Sequence, residues 1–305
     1  MTAPLRIGTR GSPLALWQAR HIAERLRPLV GPRAVELVEI ETSGDVVGDV
    51  PLSQIGGDGV FTKEIQRALL DGRVDVAVHS LKDLPTAPVP ELTLAAVPER
   101  GPSGDAFVSK RWRRFDDLPT GATVGTSSLR RRSQALHRRR DLRLNDVRGN
   151  VGTRLAKLDG TGLDALILAQ AGLERLGLGD HITEILDVSW MLPAVGQGAL
   201  GLECRADDAA TRSLLAPLDH KSTRQSVLAE RAFLRELGGG CLVPVGASTI
   251  VRGEIMTLTG AVLPPDGSSR LAGQVSGRAS DAEAIGQRLA VGLLAGGARE
   301  ILAGN

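Results

Sequence analysis

Along the first two-thirds of the chain, apolar positions fall in short blocks whose period switches repeatedly between two and nearly four. Residues 4–8 (PLRIG) form a short strand candidate. Ser12 stands where a cap is needed, Pro13 suits the first helical position, and Ala15, Ala19, Ile22 and Leu26 share one face, so a helix is predicted there. Residues 35–41 (VELVEIE) predict a second strand, and Phe61, Ile65 and Leu69 mark a helix that Gly72 ends. VDVAVHS at 74–80 alternates as a strand does, with HSLKDLP following as a loop. Turn formers crowd ERGPSGD, where a second unit is expected to begin. Beyond it AFVS is a strand, and GATVGTSSLRRRSQALHRRR reads as a strand, a tight turn permitted by Gly125, and a helix. LRLNDVRGN reads as a strand then a loop, VGTRLAKLDG as helical, and DALILAQAG as a buried strand running into a short helix. The apolar run in MLPAVGQGALGLECR is expected to return the chain to the first unit.

The tail follows a different pattern. Residues 222–238 are strongly amphipathic, with Val227, Phe233 and Leu234 among the apolar positions. MTLTGAVL and SSRLAGQVSG predict antiparallel strands joined by the PPDG turn, and a last helix is expected over 281–303. Alternating strands and helices followed by this module predict an α/β protein with a small C-terminal α+β domain. The expected domains are 1–98 with 199–217, 99–198, and 218–305.

Composition sharpens this picture. A chain of 305 residues suits two or three modules, each able to bury a core. Seven aromatic residues and no Tyr mean that the cores must be aliphatic. The net charge is +2, and only five of the 37 basic residues are Lys, so the cationic chemistry is that of Arg, the better two-pronged partner for carboxylates and phosphates. Balanced charge and scarce aromatics argue against a nucleic-acid platform, and the basic run HRRRDLR reads as a solvated helix end. Two cysteines, Cys204 and Cys241, do not make a disulfide framework. Arg6 and Arg10 interrupt any N-terminal apolar run, and no membrane span is expected, so the expected location is the cytoplasm.

Several positions could carry chemistry. Arg10 and Ser12 precede a helix whose first N–H groups lack partners, a setting for a carboxylate and equally for an ordinary cap. Lys82 and Asp83 follow a strand end, where α/β proteins place ligand-contacting groups; a solvated turn pair is the plainer alternative, and His79 suits a satisfied, half-buried imidazole. Thr126, Ser127 and Ser128 offer hydroxyls at a helix start, yet Arg130 and Arg131 put cations in a first turn that favours acids. An anion at that helix start would reconcile the two. Arg148, with Gly149 and Asn150 able to take positive φ, leads to Thr153 and Arg154 in a second such junction, and Arg175 follows a third strand. Such Arg-bearing junctions suit a ligand with several carboxylates. Cys241, after Gly238, Gly239 and Gly240, reads as a nucleophile or tether, and Cys204 as a structural thiol. No metal-ligand spacing is present in the sequence.

The motifs IGTRGSPLALWQA, GGDGVFTKE, HSLKDLP, VGTSSLRRRSQ, VRGNVGTRL, ILAQAGLERLGL, LPAVGQGALG and GGGCLVPVG, in this order over nearly the whole chain, closely resemble the porphobilinogen deaminase (hydroxymethylbilane synthase) family. The resemblance implies two lobes resembling type II periplasmic binding proteins plus a small C-terminal α+β domain. It implies a dipyrromethane cofactor held by a thioether on Cys241, and stepwise addition of four porphobilinogen units with release of ammonia, then hydrolysis to hydroxymethylbilane. Asp83, with Lys82, would be the catalytic pair; the carboxylate would assist loss of the amine and steady the cationic azafulvene. Cofactor contacts would come from Lys82, Asp83, Thr126, Ser127, Ser128, Arg130, Arg131, Arg148 and Gly149. Substrate contacts would come from Arg10, Ser12, Arg148, Arg154, Arg175 and Gln197. A monomer without nucleic-acid or membrane partners is implied. The chain departs from the family pattern at Asp58, where GGKGLF usually carries Lys, and at Ala169, Gln170 and Ala171. The competing class is a two-lobed binding protein for a small carboxylate-bearing ligand, which leaves GGGCLVPVG and the C-terminal module unexplained.

Overall fold

A computed structural model describes residues 3–46, 59–239 and 243–303, without the side chains of residues 45 and 46. The chain opens with β1 (Leu5–Thr9), α1 (Pro13–Leu26), β2 (Val35–Glu39), α2 (Ser43–Val46), α3 (Lys63–Leu70), β3 (Val76–Ser80) and β4 (Leu92–Ala96). It continues with β5 (Asp105–Val108), β6 (Thr123–Gly125), α4 (Leu129–Arg138), β7 (Arg143–Asn145), α5 (Val151–Ala156), β8 (Ala165–Ala169), α6 (Gln170–Arg175) and β9 (Glu184–Ile185). Then come β10 (Leu200–Arg205), α7 (Ala209–Leu215), α8 (Lys221–Glu236), β11 (Val245–Arg252), β12 (Ile255–Val262), β13 (Leu271–Arg278), α9 (Ala282–Leu293) and α10 (Arg299–Ala303). Two compact units result, Met1–Gly101 with Ala199–Arg224, and Pro102–Gly198 with Gln225–Asn305.

The first unit is built on a sheet of order β2-β1-β3-β10-β4. Strands β2, β1 and β3 run parallel, and β10 lies antiparallel between β3 and β4. The strand after MLPAVGQG therefore does return to the first sheet. Leu5, Ile7, Ile22, Leu26 and Leu202 fill one face, and Ile40, Ile65, Leu69 and Ala77 the other. With both faces covered, β3 opens on the unbroken apolar run Val76, Ala77 and Val78. Helix α1 starts as predicted, with Ser12 accepting from the Ala15 N–H at 3.3 Å.

The second unit contains a sheet of order β7-β6-β8-β5-β9. β6 is parallel to β7 and β8, and β5 is antiparallel to β8 and β9. Phe107, Phe115, Val124 and Ile167 form one core, and Val108, Val147, Leu166 and Leu173 another. The same unit carries the antiparallel sheet β11-β12-β13, whose apolar face packs on Phe233 of α8 and on Ile285 and Leu289 of α9. The protein is thus an α/β protein of two sheet lobes with a small C-terminal α+β domain. Among the described residues, no helix is long and apolar enough to cross a membrane.

Three local expectations are corrected. The sequence places no strand ahead of MTLTGAVL, yet residues 245–252 pair along their whole length with β12 as the strand β11. The helix expected over 281–303 is broken after α9, where Gly297 takes φ +102 and interrupts helical geometry before α10. Asn150 does not take positive φ; it lies at φ −69 and caps α5 by accepting from the Thr153 N–H at 2.9 Å.

Helices α8 and α9 meet at Gly286, where an added Cβ would lie 2.2 Å from the Ala229 carbonyl oxygen and 2.8 Å from the Phe233 nitrogen. The obstacle is backbone, so it cannot rotate aside. Gly286→Ala should therefore cost about 1–3 kcal/mol of packing, outweighing the roughly 1 kcal/mol that Ala gains over Gly in a helix. Urea denaturation of the two proteins checks this, and an unchanged or raised midpoint would show that the helices do not approach so closely.

Candidate functional site

In the first unit the parallel strands β1 and β3 end side by side. Arg10 follows β1, Ser80 ends β3, and Lys82 and Asp83 follow it, so the topology delivers them to one edge of the sheet. One pocket is lined by Arg10, Ser12, Gln18, Phe61, His79, Ser80 and Asp83, among others. The Arg10 guanidinium lies over the Phe61 ring, 4.1 Å from its centroid, a cation–π contact that holds the charge at the pocket wall. Leu81, Lys82 and Asp83 form a single 3-10 turn, with buried Leu81 as its anchor and Asp83 half-buried. The turn is tied down because the Leu81 N–H donates to the Ala199 carbonyl at 3.0 Å.

Behind these residues lies a set of which sequence reading named only His79. Gln18, buried on α1, bonds the Ser80 hydroxyl, with its amide nitrogen and oxygen 2.9 and 3.1 Å away. His79 Nε2 lies 3.2 Å from Glu203 Oε2, and Gln66 Nε2 donates to both Glu203 oxygens at 3.1 and 3.2 Å. His79 is therefore satisfied as expected, though more deeply buried than half. A polar residue on an otherwise apolar strand, as Glu203 is in ALGLECR, was the available signal.

In the second unit β6, β7 and β8 are parallel, so their C-terminal ends also lie side by side. They carry Thr126–Arg131, Arg148–Arg154 and Gln170–Arg175 respectively. The Ser128 side chain caps α4, accepting from the Arg131 N–H at 3.4 Å. Thr126 Oγ1 accepts from the Ser128 N–H at 3.3 Å. Ser127 Oγ lies 2.9 Å from both the carbonyl oxygen and the nitrogen of Val147, joining two of the loops. Gly125 was expected for a tight turn, but it is not among the positive-φ glycines. Its smallness serves packing instead: a Cβ there would meet Val147 and Leu166 side-chain atoms at 2.5 and 2.6 Å.

The cations of the first turn of α4 find an anion inside the protein. Asp105, 0% exposed, receives Arg130 Nη1 on Oδ2 at 2.6 Å and Arg130 Nη2 on Oδ1 at 3.3 Å. Arg131 donates to Oδ1 from Nε at 2.9 Å, with Nη2 at 2.8 Å. Arg130 Nη1 also donates to the Leu192 carbonyl at 2.7 Å, and Arg131 Nη1 to the Ile167 carbonyl at 3.2 Å. Gln197, 1% exposed, completes the group: its Nε2 donates to Asp105 Oδ1 at 2.9 Å and to the Ser103 carbonyl at 2.7 Å. Its Oε1 lies 3.3 Å from Arg131 Nη2. Arg130 Nε is buried and makes no hydrogen bond. Burial raises the Asp105 pKa, but the guanidiniums beside it prevail and hold the carboxyl far below the usual range.

Gly149 takes φ +101, as expected. Arg154 Nε donates to the Gly149 carbonyl at 2.8 Å, and Lys157 Nζ to the Arg148 carbonyl at 3.2 Å, so this loop is shaped by its own cations. Arg175 Nη2 donates to the Gly198 carbonyl at 2.7 Å, and burial lowers its pKa. Cys204 is fully buried, and burial pushes its thiol up to about 11. Cys241 and Asp58 lie outside the described residues. Among the described residues no group of His, Cys, Asp and Glu could hold a metal ion.

Comparison with known proteins gives two family matches. Residues 5–213 match the family model described as porphobilinogen deaminase, dipyromethane cofactor binding domain, and residues 224–295 match that described as porphobilinogen deaminase, C-terminal domain. Among solved structures, the chain is similar to a putative methionine-binding lipoprotein from Bacillus subtilis subsp. subtilis str. 168 (14% identity, TM-score 0.44), over 70% of this chain and 89% of that one. It is also similar to a nutrient binding protein from Burkholderia cenocepacia bound to methionine (12% identity, TM-score 0.43), over 69% of this chain and 90% of that one.

The buried ion cluster generates a pH prediction. Removing one partner from such a cluster costs about 3–5 kcal/mol, so Asp105→Asn should be less stable by that order. Because the folded carboxyl titrates below its unfolded value of about 3.9, the stabilisation is complete above that value and fades as pH falls towards the folded one. Urea denaturation should show a constant gap between wild type and variant from about pH 5 to 8, narrowing by roughly 1 kcal/mol per unit below about 4. A gap that does not narrow in acid would mean that Asp105 is not held ionised by the pair.

Proposed function

The chain belongs to the porphobilinogen deaminase family, transferases of tetrapyrrole biosynthesis that carry dipyrromethane, and from that premise we propose that it joins four porphobilinogen molecules head to tail, releasing ammonia each time, and hydrolyses the product to hydroxymethylbilane. The reading rests on one observation above the rest: Asp83 and Arg10 line the same pocket at the ends of adjacent parallel strands. Porphobilinogen combines an aminomethyl group with two carboxylates, and the pocket offers a carboxylate for the first and a guanidinium for the second.

The fit of the second unit to a carboxylate-bearing cofactor rests on its donors. Arg130 Nε is a buried N–H with no partner, beside a helix start that favours anions. A carboxylate there would satisfy it. Thr126, Ser127, Ser128, Arg130, Arg131, Arg148 and Gly149 would hold dipyrromethane, with the thioether on Cys241. Bound in this way, the group would supply the free pyrrole carbon to which the first unit is joined.

The chain's own residues do the rest. Asp83 takes a hydrogen bond from the protonated aminomethyl group, orients it, and steadies the positive charge that develops as ammonia departs. The same carboxylate accepts the pyrrole N–H, so the proton lost after coupling has a nearby base. Lys82 balances Asp83 and orients an acidic side chain. Arg10 and Ser12 receive the substrate's acetate or propionate, and Arg148, Arg154 and Arg175 receive those of the lengthening product. Gln197 acts towards the substrate through the guanidiniums that it touches. We assign these roles to a cytoplasmic monomer with domains 1–98 with 199–217, 99–198 and 218–305. Each of the three sheets lies within one of these ranges.

Two measurements test the reading. The intact mass of denatured protein should exceed that of the bare chain by two linked pyrroles, and Cys241→Ser should lack the excess; persistence of the excess on the serine variant would sink the tether assignment. Asp83→Asn should keep its covalent pyrroles but turn over about 100-fold more slowly or worse, measured as ammonia released per enzyme. Near-normal turnover would remove Asp83 from the chemistry.

A further inference from the structure

Two guanidiniums meet one carboxylate in the second unit. Arg130 is 4% exposed, Arg131 6% and Asp105 0%, so the cluster holds one net positive charge almost out of water. A buried net charge is costly unless a counter-charge arrives. The geometry also says where it can arrive. Arg130 turns its Nη1 and Nη2 end-on to Asp105. That leaves its Nε edge without a hydrogen bond. Arg131, in contrast, turns its Nε edge to Asp105 and its Nη1 to the Ile167 carbonyl. Asp105 is in turn held by Gln197, which is anchored on the Ser103 and Gly104 carbonyls at 2.7 and 3.2 Å.

We propose that Asp105, backed by Gln197, is a positioning residue: it locks the two guanidiniums into one orientation, so that the pair offers a single net charge and the Arg130 Nε–H edge to one carboxylate of the pyrrole ligand. Asp105 never touches the ligand. It sets the number of anionic groups the cluster takes, because a second carboxylate would leave the cluster net negative. Without Asp105 the pair carries two unbalanced charges, repels itself, and loses the fixed edge. Without Gln197 the charges stay, but Asp105 Oδ1 loses a donor and both Nη2 groups lose a neighbouring acceptor.

The inference rests on the function proposed above, so the test begins with wild-type holoenzyme that carries its pyrroles and turns over porphobilinogen. A failure of the functional reading would show in that control, and a failure of this inference only in the variants. The variants are Asp105→Asn and Gln197→Met, each purified as folded holoenzyme and assayed over a range of porphobilinogen concentrations. A displaced carboxylate seat costs binding more than chemistry. For Asp105→Asn, KM should rise by about tenfold or more with kcat changed far less, and for Gln197→Met by about threefold or more in the same pattern. The Arg130 and Arg131 Nε–H resonances in nitrogen-15 spectra of the holoenzyme should shift and broaden in both variants. A merely structural role predicts lower thermal stability with the KM of the folded protein unchanged, and that result would overturn the proposal. Should Asp105→Asn fail to fold, Gln197→Met, which keeps every charge, decides alone by its KM.

Discussion

A carboxylate without water must be surrounded by donors, and Asp105 imposes that condition on the second α/β lobe. Its neighbours come from the first turn of α4 and from the loop after Met191, far apart in sequence. The cost of dehydrating the carboxylate is offset only while all these donors converge. The cluster thereby fixes the start of α4 against β5 and β8, since Arg131 also reaches the Ile167 carbonyl. It resolves the oddity of cations in a first helical turn. The helix dipole disfavours Arg130 and Arg131 by a fraction of a kcal/mol each, whereas a hydrogen-bonded buried ion pair, once formed, costs several kcal/mol to break. The larger effect decides.

The first unit also ties separate elements together through buried polar groups. Glu203, on the strand that returns to this sheet, is met by His79 and Gln66, and Gln18 meets Ser80. These contacts bind α1, α3, β3 and β10 at the strand ends from which Arg10 and Asp83 project. Side chains that must meet developing charge work best when their supports are already in place, because no reorganisation is then required during reaction. Polar residues buried in an α/β core are otherwise a liability, and their placement under the pocket gives them a purpose.

Much of this was legible in the residues. Alternation and caps located β1, α1, β6, α4, β12 and α8, and the Arg-bearing strand-to-helix junctions pointed to the lobe edges that carry the candidate residues. Partners of buried charges were not legible. Asp105 sits in RGPSGDAFVS, where an acid before a strand reads as a turn former, and its ligands Arg130 and Gln197 are 25 and 92 positions away. Long-range pairing of this kind leaves no local period to detect. Gly125 was legible as special but for the wrong reason, since smallness against Val147 and Leu166 looks, in sequence, the same as freedom to turn. Strand β11 was hidden because its first residues continue a run rich in Gly and Pro, and only pairing with β12 makes it a strand.

The two cysteines separate on chemistry. A tether must react as a thiolate, and Cys204 is fully buried in β10 with its thiol pushed up to about 11. Burial favours the neutral thiol there, the opposite of what a tether requires. Cys204 packs instead with Leu5, Ile22 and Leu202, as a small apolar residue would. Cys241 follows three consecutive glycines at the end of α8, in the module that the family's C-terminal model matches. Glycines there spare the chain the steric limits that side chains impose on backbone direction. Burial in the sheet keeps Cys204 inert, which leaves Cys241 as the proposed attachment point.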